Sequence, residues 1–469
     1  MASSKLKIEE LSLKIKQSSS WKFIPELYGC LYIDISWLDL LYTICNTARF
    51  LDHRNVQKEI ECLLGGPERI LISLSVRSSF DLFLQAMKYP QDSEIIATCI
   101  NIKQMSEIAE YHGIHMKGVD LDLSNMQPDI SQIESNICEK TVGIFVVQLF
   151  GMKFKTTELK KVAKKHRIVL IEDCAQAFFG ADAIDSIESD LAFFSFGSIK
   201  RSTCLGGACI VSNNSVILHK MRTIQSRYTL QGRWVYFLKL LKYLVIMIAM
   251  NNPSFSWILS SLLSLIGIDY KVFFKSSLRS FKASNNSLIE LIRFQPSLPL
   301  LILIKRRMQH LLQFDDNYQD GRLRAEYAIC SLIEKPVYVL GCLSEVRDFW
   351  LFPVLVDEPL EVEMELEKLG VSAFSRASSL EFNHKPSEDL RSSQFVCKHV
   401  LYLPIDRRSP KWHIDNVCRS LITVLQERRS IFDIAEKEHV VLKRDIETLL
   451  KCSSTIFESS KKVPRILEI

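Results

Sequence analysis

Short apolar runs and amphipathic segments alternate along residues 70–212. The apolar runs have the length of β-strands and predict strands at 70–75, 95–100, 118–121, 142–148, 168–171, 191–196 and 206–212. Helical spacing of apolar residues between them predicts helices at 106–112 and 156–166, the second opened by Thr156 as its N-cap. Because strands that alternate with helices form parallel sheets, the pattern predicts an α/β domain with a mainly parallel sheet.

The pattern becomes almost wholly apolar after residue 231. Residues 243–268 carry no charge, but Asn251, Asn252, Pro253 and Ser254 interrupt them. This predicts a helical hairpin whose two arms are each too short to span a membrane, with Lys239 and Lys242 on the polar side of the first arm. Two covers for its apolar surface stay open: the protein's own core or subunit interface, and a membrane surface contacted through residues 236–266.

Weaker patterns follow the hairpin. Helices are predicted at 305–312 and 360–370 and strands at 349–356 and 400–403, which together indicate a smaller α+β unit. A long charged helix is predicted over 415–450, followed by a loose tail. The predicted division is an N-terminal segment (1–59), a large domain (60–231), the hairpin insertion (232–299), a small C-terminal domain (300–430), and a helical extension with a tail (431–469).

Composition excludes several classes of protein. The chain has 469 residues, of which 47% are apolar and 24% charged, as in ordinary globular proteins. The net charge of +5 is spread along the chain and does not predict nucleic-acid binding. The 13 cysteines are dispersed without a C-x-x-C pair, so no metal site is expected. The N-terminus lacks the apolar core of a signal peptide, so we expect a cytoplasmic protein, with peripheral membrane contact if the hairpin binds lipid.

Polar groups follow three of the predicted strands, where ligands of open α/β sheets bind. The first group is Val76-Arg77-Ser78-Ser79, at the start of a helix that could hold an anion. The second is Glu172-Asp173, and the third is Ser195 to Lys200 followed by Gly206-Gly207. Taken singly, each has an ordinary structural explanation as a helix cap, a capping carboxylate or a surface lysine. A desolvated and oriented lysine can instead form a Schiff base, and the three groups together favour chemistry.

The motifs resemble those of one enzyme family. The segments IEDCAQAF (171–178), DLAFFSFGSIKRSTCLGGACIVSN (190–213) and VQLFG (147–151) are similar to the signatures of the DegT/StrS-type nucleotide-sugar aminotransferases. These are pyridoxal-phosphate enzymes of fold type I. The resemblance implies a mainly parallel sheet in the large domain, a smaller α+β C-terminal domain, and a homodimer with its site at the subunit boundary.

The resemblance also implies a role for each matching residue. Lys200 would form the internal aldimine with pyridoxal 5'-phosphate and then move the proton, and Asp173 would keep the pyridine nitrogen protonated. Gln176 would contact the ring hydroxyl side. The cofactor phosphate would be held by three hydroxyls, those of Ser195, Ser78 and Ser79. Lysine rather than histidine at position 200 favours transamination over sugar dehydration.

Several departures from the family pattern stand out. The chain has Arg77-Ser78-Ser79 where the family has Gly-Thr-Ala, so Arg77 would add a charged contact to the phosphate. Residues Ile100 to Ile102 offer no aromatic ring to stack on the cofactor. Arg293 is the nearest candidate for the arginine that reaches the phosphate of the neighbouring subunit. The hairpin and the C-terminal extension have no counterpart in typical members.

The sequence therefore predicts a pyridoxal-phosphate-dependent aminotransferase. Its substrate would be a keto sugar, nucleotide-linked, with glutamate or glutamine as the amino donor. A member of weak activity that serves binding or membrane-associated assembly is the main alternative. Another pyridoxal-phosphate reaction, such as elimination, is compatible with the same motifs.

Overall fold

The computed structural model describes residues 25–443, except 50, 179, 279–287, 314–316, 334–335 and 385–387. The helices are α1 Trp37–Asn46, α2 His53–Leu63, α3 Val76–Met87, α4 Lys103–Tyr111, α5 Ile130–Asn136, α6 Thr157–His166, α7 Ala181–Asp185, α8 Ser215–Gln225, α9 Arg233–Asn251, α10 Pro253–Leu265, α11 Tyr270–Leu278, α12 Leu288–Ile292, α13 Leu298–Gln313, α14 Asn317–Leu332, α15 Pro359–Lys368, α16 Arg391–His399, α17 Lys411–Gln426 and α18 Ile431–Lys437. The strands are β1 Ile70–Ser73, β2 Ser93–Thr98, β3 Ile100–Asn101, β4 Ile114–Val119, β5 Thr141–Val147, β6 Met152–Lys153, β7 Val169–Asp173, β8 Leu191–Ser195, β9 Ala208–Ser212, β10 Thr229–Leu230, β11 Phe294–Gln295, β12 Tyr338–Val339, β13 Val346–Arg347, β14 Phe352–Leu355, β15 Glu381–Phe382 and β16 Val400–Leu403. The predicted tail beyond residue 443 lies outside the described residues.

A seven-stranded sheet organises the large domain, in the order β1-β9-β8-β7-β5-β2-β4. Strands β4, β2, β5, β7 and β8 run parallel to one another, and β9 runs antiparallel to both β1 and β8. The central strands are apolar along nearly their whole length because helices cover both faces of the sheet. The predicted mainly parallel α/β sheet is confirmed.

Each face of this sheet has its own hydrophobic core. Neighbouring residues of a strand point to opposite faces, so Phe193 and Phe194 of β8 enter different cores. The first core contains Phe80 and Phe83 of α3, and the second contains Leu240 of the hairpin. The hairpin insertion is therefore built into the large-domain core.

The small unit is built on a three-stranded antiparallel sheet in the order β12-β14-β16. Helices α15 and α17 pack together beside it. The predicted long helix over 415–450 is wrong for the part that the structure describes, where α17 ends at Gln426 and α18 begins at Ile431. Ser430 stops a continuous helix because it is the N-cap of α18, and its Oγ accepts the Phe432 N–H at 3.3 Å.

The hairpin turns at the predicted residues. Asn252 is the N-cap of α10, where its Oδ1 accepts the Phe255 N–H at 3.1 Å, and Pro253 opens the helix. Within the described part of the chain, α9 is long and apolar enough to cross a membrane, and α10 with α11 would be so only if the pair, bent by 108°, counted as one span. Buried helices of soluble proteins have the same length and composition. The expectation that each arm is too short is therefore wrong for the first arm.

The two sides of α9 have different surroundings. Tyr236, Leu240 and Tyr243 are buried against the large domain. On the other side, six large apolar side chains are exposed: Trp234, Val235, Leu238, Leu241, Val245 and Ile248. The protein's own core therefore covers one side of this helix, and the single described chain leaves the other uncovered.

Thr156 differs from its predicted capping role. It stands at the N-cap position of α6, but its hydroxyl makes no hydrogen bond to the first turn. The hydroxyl instead donates to Oε1 of Glu172 at 3.1 Å. The buried carboxylate of Glu172 needs hydrogen bonds more than an exposed helix end does, since a buried charge without partners is costly.

Candidate functional site

A cavity of about 400 Å³ lies at the carboxyl ends of β7 and β8, beside the N-terminus of α3. Of the eight site residues predicted from the sequence, the structure places five in its wall, and these are Arg77, Asp173, Gln176, Ser195 and Lys200. They converge because the carboxyl ends of neighbouring parallel strands share one edge of the sheet.

The two acidic residues that end β7 have different roles. Asp173 lines the cavity, whereas Glu172 points to the other face and is bonded by Gln148 at 3.2 Å and by Thr156. Asp173 accepts the Ala175 N–H at 2.9 Å, yet burial raises its pKa to about 6. A buried carboxylate in such a wall is suited to pair with a cationic group of a ligand.

Lys200 follows β8 and lines the same cavity. Burial lowers its pKa to about 8, with a smaller contribution from Arg77, while the Asp173 carboxylate acts in the opposite direction. Its Nζ lies 4.2 Å from the centroid of the Trp350 ring. An amine that is neutral near pH 8 can act as a nucleophile or a base.

Backbone hydrogen bonds orient the two polar side chains between these charges. The Gln176 Oε1 accepts the Phe150 N–H at 2.8 Å, which leaves the amide nitrogen at the cavity end of the side chain. The Ser195 Oγ accepts the Gly197 N–H at 3.2 Å. Both groups are therefore held in place before any ligand arrives.

The N-terminus of α3 forms one end of the cavity. Ser75 is the N-cap, and its Oγ accepts the Ser78 N–H at 3.2 Å. The N–H groups of Val76 and Arg77 belong to the first turn, where a helix has no internal acceptors for them. Burial lowers the pKa of Arg77 to about 10, and the guanidinium remains charged at neutral pH. This end of the cavity favours an anion.

The hydroxyls of Ser78 and Ser79 point away from the cavity. Ser78 Oγ donates to the Ile292 carbonyl at 2.8 Å, and Ser79 Oγ bonds Ser73 Oγ at 2.7 Å and the Ser75 carbonyl at 3.1 Å. Successive helix residues are turned by about 100°, so only the first residues of α3 face the ligand space. Ser75 and Arg77, rather than Ser78 and Ser79, therefore line the cavity at this end.

Arg293 also lies away from this cavity. Its guanidinium is bonded to the buried Asp81 carboxylate at 2.8 and 3.0 Å, and its Cζ lies 5.3 Å from the Tyr111 ring centroid. Asp81 accepts a further bond from His112 at 2.9 Å. The predicted contact of Arg293 with a neighbouring subunit's phosphate stays a prediction.

Several lining residues come from segments that no motif marked. The hairpin contributes Tyr236, Lys239, Lys275 and Leu278, and the small unit contributes Trp350, Ser378 and Glu381. Lys239 was expected on the polar side of the hairpin. That expectation is wrong, because Lys239 lines the cavity together with Tyr236, on the side of α9 that packs against the large domain. No sequence signal distinguishes Lys239 from an exposed lysine such as Lys242.

The segment Asn101-Ile102 lines the cavity where the stacking aromatic was missing. Asn101 Oδ1 accepts the Ile102 N–H at 2.7 Å, which fixes the turn into α4. The cavity still contains a large aromatic ring, because Trp350 of the small unit lines it. Aliphatic contact at Ile102 and an aromatic wall at Trp350 replace the expected arrangement.

Comparison with known sequences supports the resemblance. Residues 72–238 match the sequence model described as the DegT/DnrJ/EryC1/StrS aminotransferase family. A GDP-perosamine synthase of Escherichia coli O157:H7 is 28% identical over 139 residues, which are 29% of this chain and 38% of that protein. A pleiotropic regulatory protein of Geobacillus stearothermophilus is 30% identical over 146 residues, or 30% of this chain and 39% of that protein. The chain thus spans less than half the length of these curated relatives.

Solved structures extend the similarity to most of the fold. NtdA of Bacillus subtilis, solved with bound cofactor PMP, covers 88% of this chain and 87% of its own at a TM-score of 0.62 and 17% identity. PseC of Helicobacter pylori is an aminotransferase involved in pseudoaminic acid biosynthesis. Its alignment covers 86% of this chain and 100% of its own, with a TM-score of 0.60 and 16% sequence identity. At these identities the similarity shows the fold, and the predicted fold class is confirmed.

Proposed function

We propose that this chain, whose residues 72–238 match the DegT/DnrJ/EryC1/StrS aminotransferase family, is a pyridoxal-phosphate-dependent aminotransferase. One observation carries the proposal: Lys200 and Asp173 face one cavity, and each affects the pKa of the other. A lysine with a lowered pKa and a carboxylate with a raised one are an acid–base pair held ready by burial.

The cavity has a suitable side chain or backbone donor for the ring nitrogen, the ring hydroxyl and the phosphate of the cofactor. Asp173 supplies a buried carboxylate for the ring nitrogen, and Gln176 a fixed amide for the ring hydroxyl. Ser195 and the first turn of α3 supply hydroxyl and N–H donors for the phosphate. When bound, pyridoxal phosphate supplies an electron sink for charge that develops on the substrate carbon.

Lys200 performs the proton chemistry in this proposal. Its Nζ would hold the cofactor, and the neutral amine is placed to take a proton from one carbon and return it to another. A pKa near 8 leaves a substantial neutral fraction at physiological pH. Trp350 limits the positions that the amine can occupy, and the partly buried wall keeps bulk water away from it.

A keto sugar, nucleotide-linked, is the proposed substrate, with glutamate or glutamine as donor. The support comes from the relatives, two of which are named for GDP-perosamine and pseudoaminic acid synthesis. The open side of the cavity offers groups that can bond sugar hydroxyls, and these are Lys103, Gln104, Ser378, Ser379 and Glu381. The experiment is to add L-glutamate and then keto-sugar nucleotides to the loaded enzyme, following loss and return of its visible absorption.

We further propose that the enzyme is a cytoplasmic homodimer and that a second copy covers the exposed side of α9. The covered side of the same helix already lines the cavity, which places this surface beside the site. An uncovered apolar face of this extent is rare on soluble monomers. A membrane surface is the competing cover, and analytical ultracentrifugation together with liposome flotation distinguishes the two.

The test of the cofactor proposal uses purified protein. Wild-type protein mixed with pyridoxal phosphate is expected to gain visible absorption that survives gel filtration and bleaches with borohydride. Lys200→Ala is expected to lose both properties, and Lys242→Ala, which changes an exposed lysine, to keep them. A wild-type protein that stays colourless with pyridoxal phosphate would contradict the proposed activity.

A further inference from the structure

Lys239 is a cation of the cavity wall that the proposed function does not use. It lies on α9, and burial together with the nearby Lys242 lowers its pKa to about 8. In the part of the chain that the structure describes, no carboxylate or hydrogen-bond acceptor pairs with its ammonium group, and the Tyr243 ring centroid is 5.8 Å away. An ammonium group held in a wall without a counter-charge is unfavourable unless a ligand brings the charge.

Two tyrosines fix the position of this lysine. The hydroxyl of Tyr236 donates to the Cys204 carbonyl, and the hydroxyl of Tyr243 donates to the Leu278 carbonyl at 3.1 Å. Residues 236, 239 and 243 are three and four apart, so they lie on one face of α9. Lys239 is therefore held between two anchors, and its side chain is directed toward the loop before β9.

The loop before β9 places the ammonium group at the anion-binding end of the cavity. Nζ of Lys239 lies 3.8 Å from the position that a Cβ on Gly206 would occupy. The neighbouring Gly207 donates its N–H to the Leu74 carbonyl at 2.9 Å, directly before Ser75, the N-cap of α3. Lys239 therefore lies beside the glycine pair whose second member is bonded to the residue just before the N-cap of α3.

The cavity wall near the first turn of α3 carries several hydrogen-bond donors and a cation. The first-turn N–H groups of α3, the Ser195 hydroxyl and the Arg77 guanidinium line it, and β8 pairs with β9 at Ser195 and Ala208, next to Gly207. A phosphate group offers several acceptor oxygens and two negative charges to such a set. In the family resemblance a neighbouring subunit's arginine fills this role, but Arg293 is bonded to Asp81 within its own chain.

We propose that Lys239 binds a phosphate group at this end of the cavity, so that the hairpin insertion supplies within one chain a cation otherwise expected from the partner. The cofactor's phosphate is the one that the neighbouring donors position. This inference rests on the proposed function for the identity of that ligand. It gives the insertion a role in the site that no motif indicates.

The first test compares pyridoxal phosphate with pyridoxal, which lacks the phosphate. Dissociation constants are measured by absorption titration of cofactor-free wild type, Lys239→Gln, Lys239→Arg and Lys242→Gln. Lys239→Gln is expected to weaken pyridoxal phosphate about tenfold or more and to leave pyridoxal unchanged, since a hydrogen bond to a charged group is lost. Lys239→Arg is expected to retain most of the affinity, and the matched neighbour variant Lys242→Gln to retain all of it.

A second test needs no substitution and separates two sources of phosphate. Lysine acetylation of the wild type is mapped by mass spectrometry after loading with pyridoxal, with pyridoxal phosphate, and with pyridoxal phosphate plus uridine diphosphate. Protection of Lys239 by pyridoxal phosphate alone assigns the cofactor's phosphate, and protection that needs uridine diphosphate assigns a substrate phosphate. Equal labelling in all three states, or an unchanged preference for pyridoxal phosphate in Lys239→Gln, overturns the inference. A wild type that binds neither pyridoxal form contradicts the proposed function instead.

Discussion

The ammonium group of Lys200 lies 4.2 Å from the ring centroid of Trp350, whose Nε1–H donates to the Ile199 carbonyl at 2.6 Å. The two residues belong to different units of the fold, since Lys200 follows β8 and Trp350 precedes β14. The ring face attracts the ammonium form, while burial favours the neutral amine. Trp350 therefore positions the loop that carries the lysine.

Replacement of Trp350 tests this positioning. Trp350→Leu removes the ring and the indole N–H, and we expect covalent attachment of pyridoxal phosphate to slow about tenfold, because misplacement of a reacting group is costly. Trp350→Phe keeps an aromatic ring, and we expect its attachment rate to lie between those of the wild type and Trp350→Leu. Stopped-flow absorption measures the rate, with the half-exposed Trp412→Leu as control. Equal rates in all variants would show that Trp350 only packs.

Asp173→Asn tests the electrostatic role of the strand-end carboxylate. The change keeps the size of the side chain and removes its charge, so we expect the cofactor to bind and turnover to fall by about 10²-fold or more, as losses of preorganised charge do. Single-turnover reaction with glutamate measures this. Glu172→Gln is the matched control, because its carboxylate lies on the other face of the sheet. Near-normal turnover in Asp173→Asn would reduce that residue to a structural role.

The same carboxylate predicts a dependence of stability on pH in cofactor-free protein. Its folded pKa of about 6 lies above the unfolded value of about 3.9, so the folded state binds this proton more tightly. The contribution favours folding below about pH 4 and is lost as pH rises through about 6. Asp173→Asn is therefore expected to raise the free energy of unfolding by about 3 kcal/mol at pH 7.5 and to change it little at pH 4. Urea unfolding of wild type and variant at both pH values measures this change in free energy. A variant that is less stable than the wild type at pH 7.5 would contradict the prediction.

The serine residues around α3 predict two separable effects. Ser195→Ala removes a hydroxyl of the cavity wall and is expected to weaken pyridoxal phosphate several-fold with little change in melting temperature. Ser78→Ala and Ser79→Ala remove hydroxyls bonded inside the fold and are expected to cost about 1 kcal/mol of stability each without altering cofactor affinity. Thermal melts and absorption titrations measure the two effects. If Ser78→Ala and Ser79→Ala instead weakened cofactor binding and left the melting temperature unchanged, the sequence-based prediction that these residues hold the phosphate would be supported.

The exposed side of α9 predicts the oligomeric state. The double variant Leu238→Glu with Val245→Glu places charges on this side and leaves the cavity residues of the helix intact. We expect the wild type to be a dimer by analytical ultracentrifugation and the variant to be monomeric. Liposome flotation is the companion measurement. A wild type that floats with anionic vesicles, and a variant that stays dimeric but no longer floats, would assign the surface to lipid instead.

Local pattern by itself determined the sheet and the centre of the site. Apolar runs of strand length must be buried on both faces, and polar residues that follow such a run stand at the sheet edge, where Asp173 and Lys200 both line the cavity. Only the tertiary structure decided that Ser78 and Ser79 face inward, that Arg293 is bonded to Asp81, and that Lys239 and Trp350 line the cavity. Those facts depend on packing between segments far apart in the chain, and a period of two or of 3.6 residues carries no information about which distant segment covers a given face.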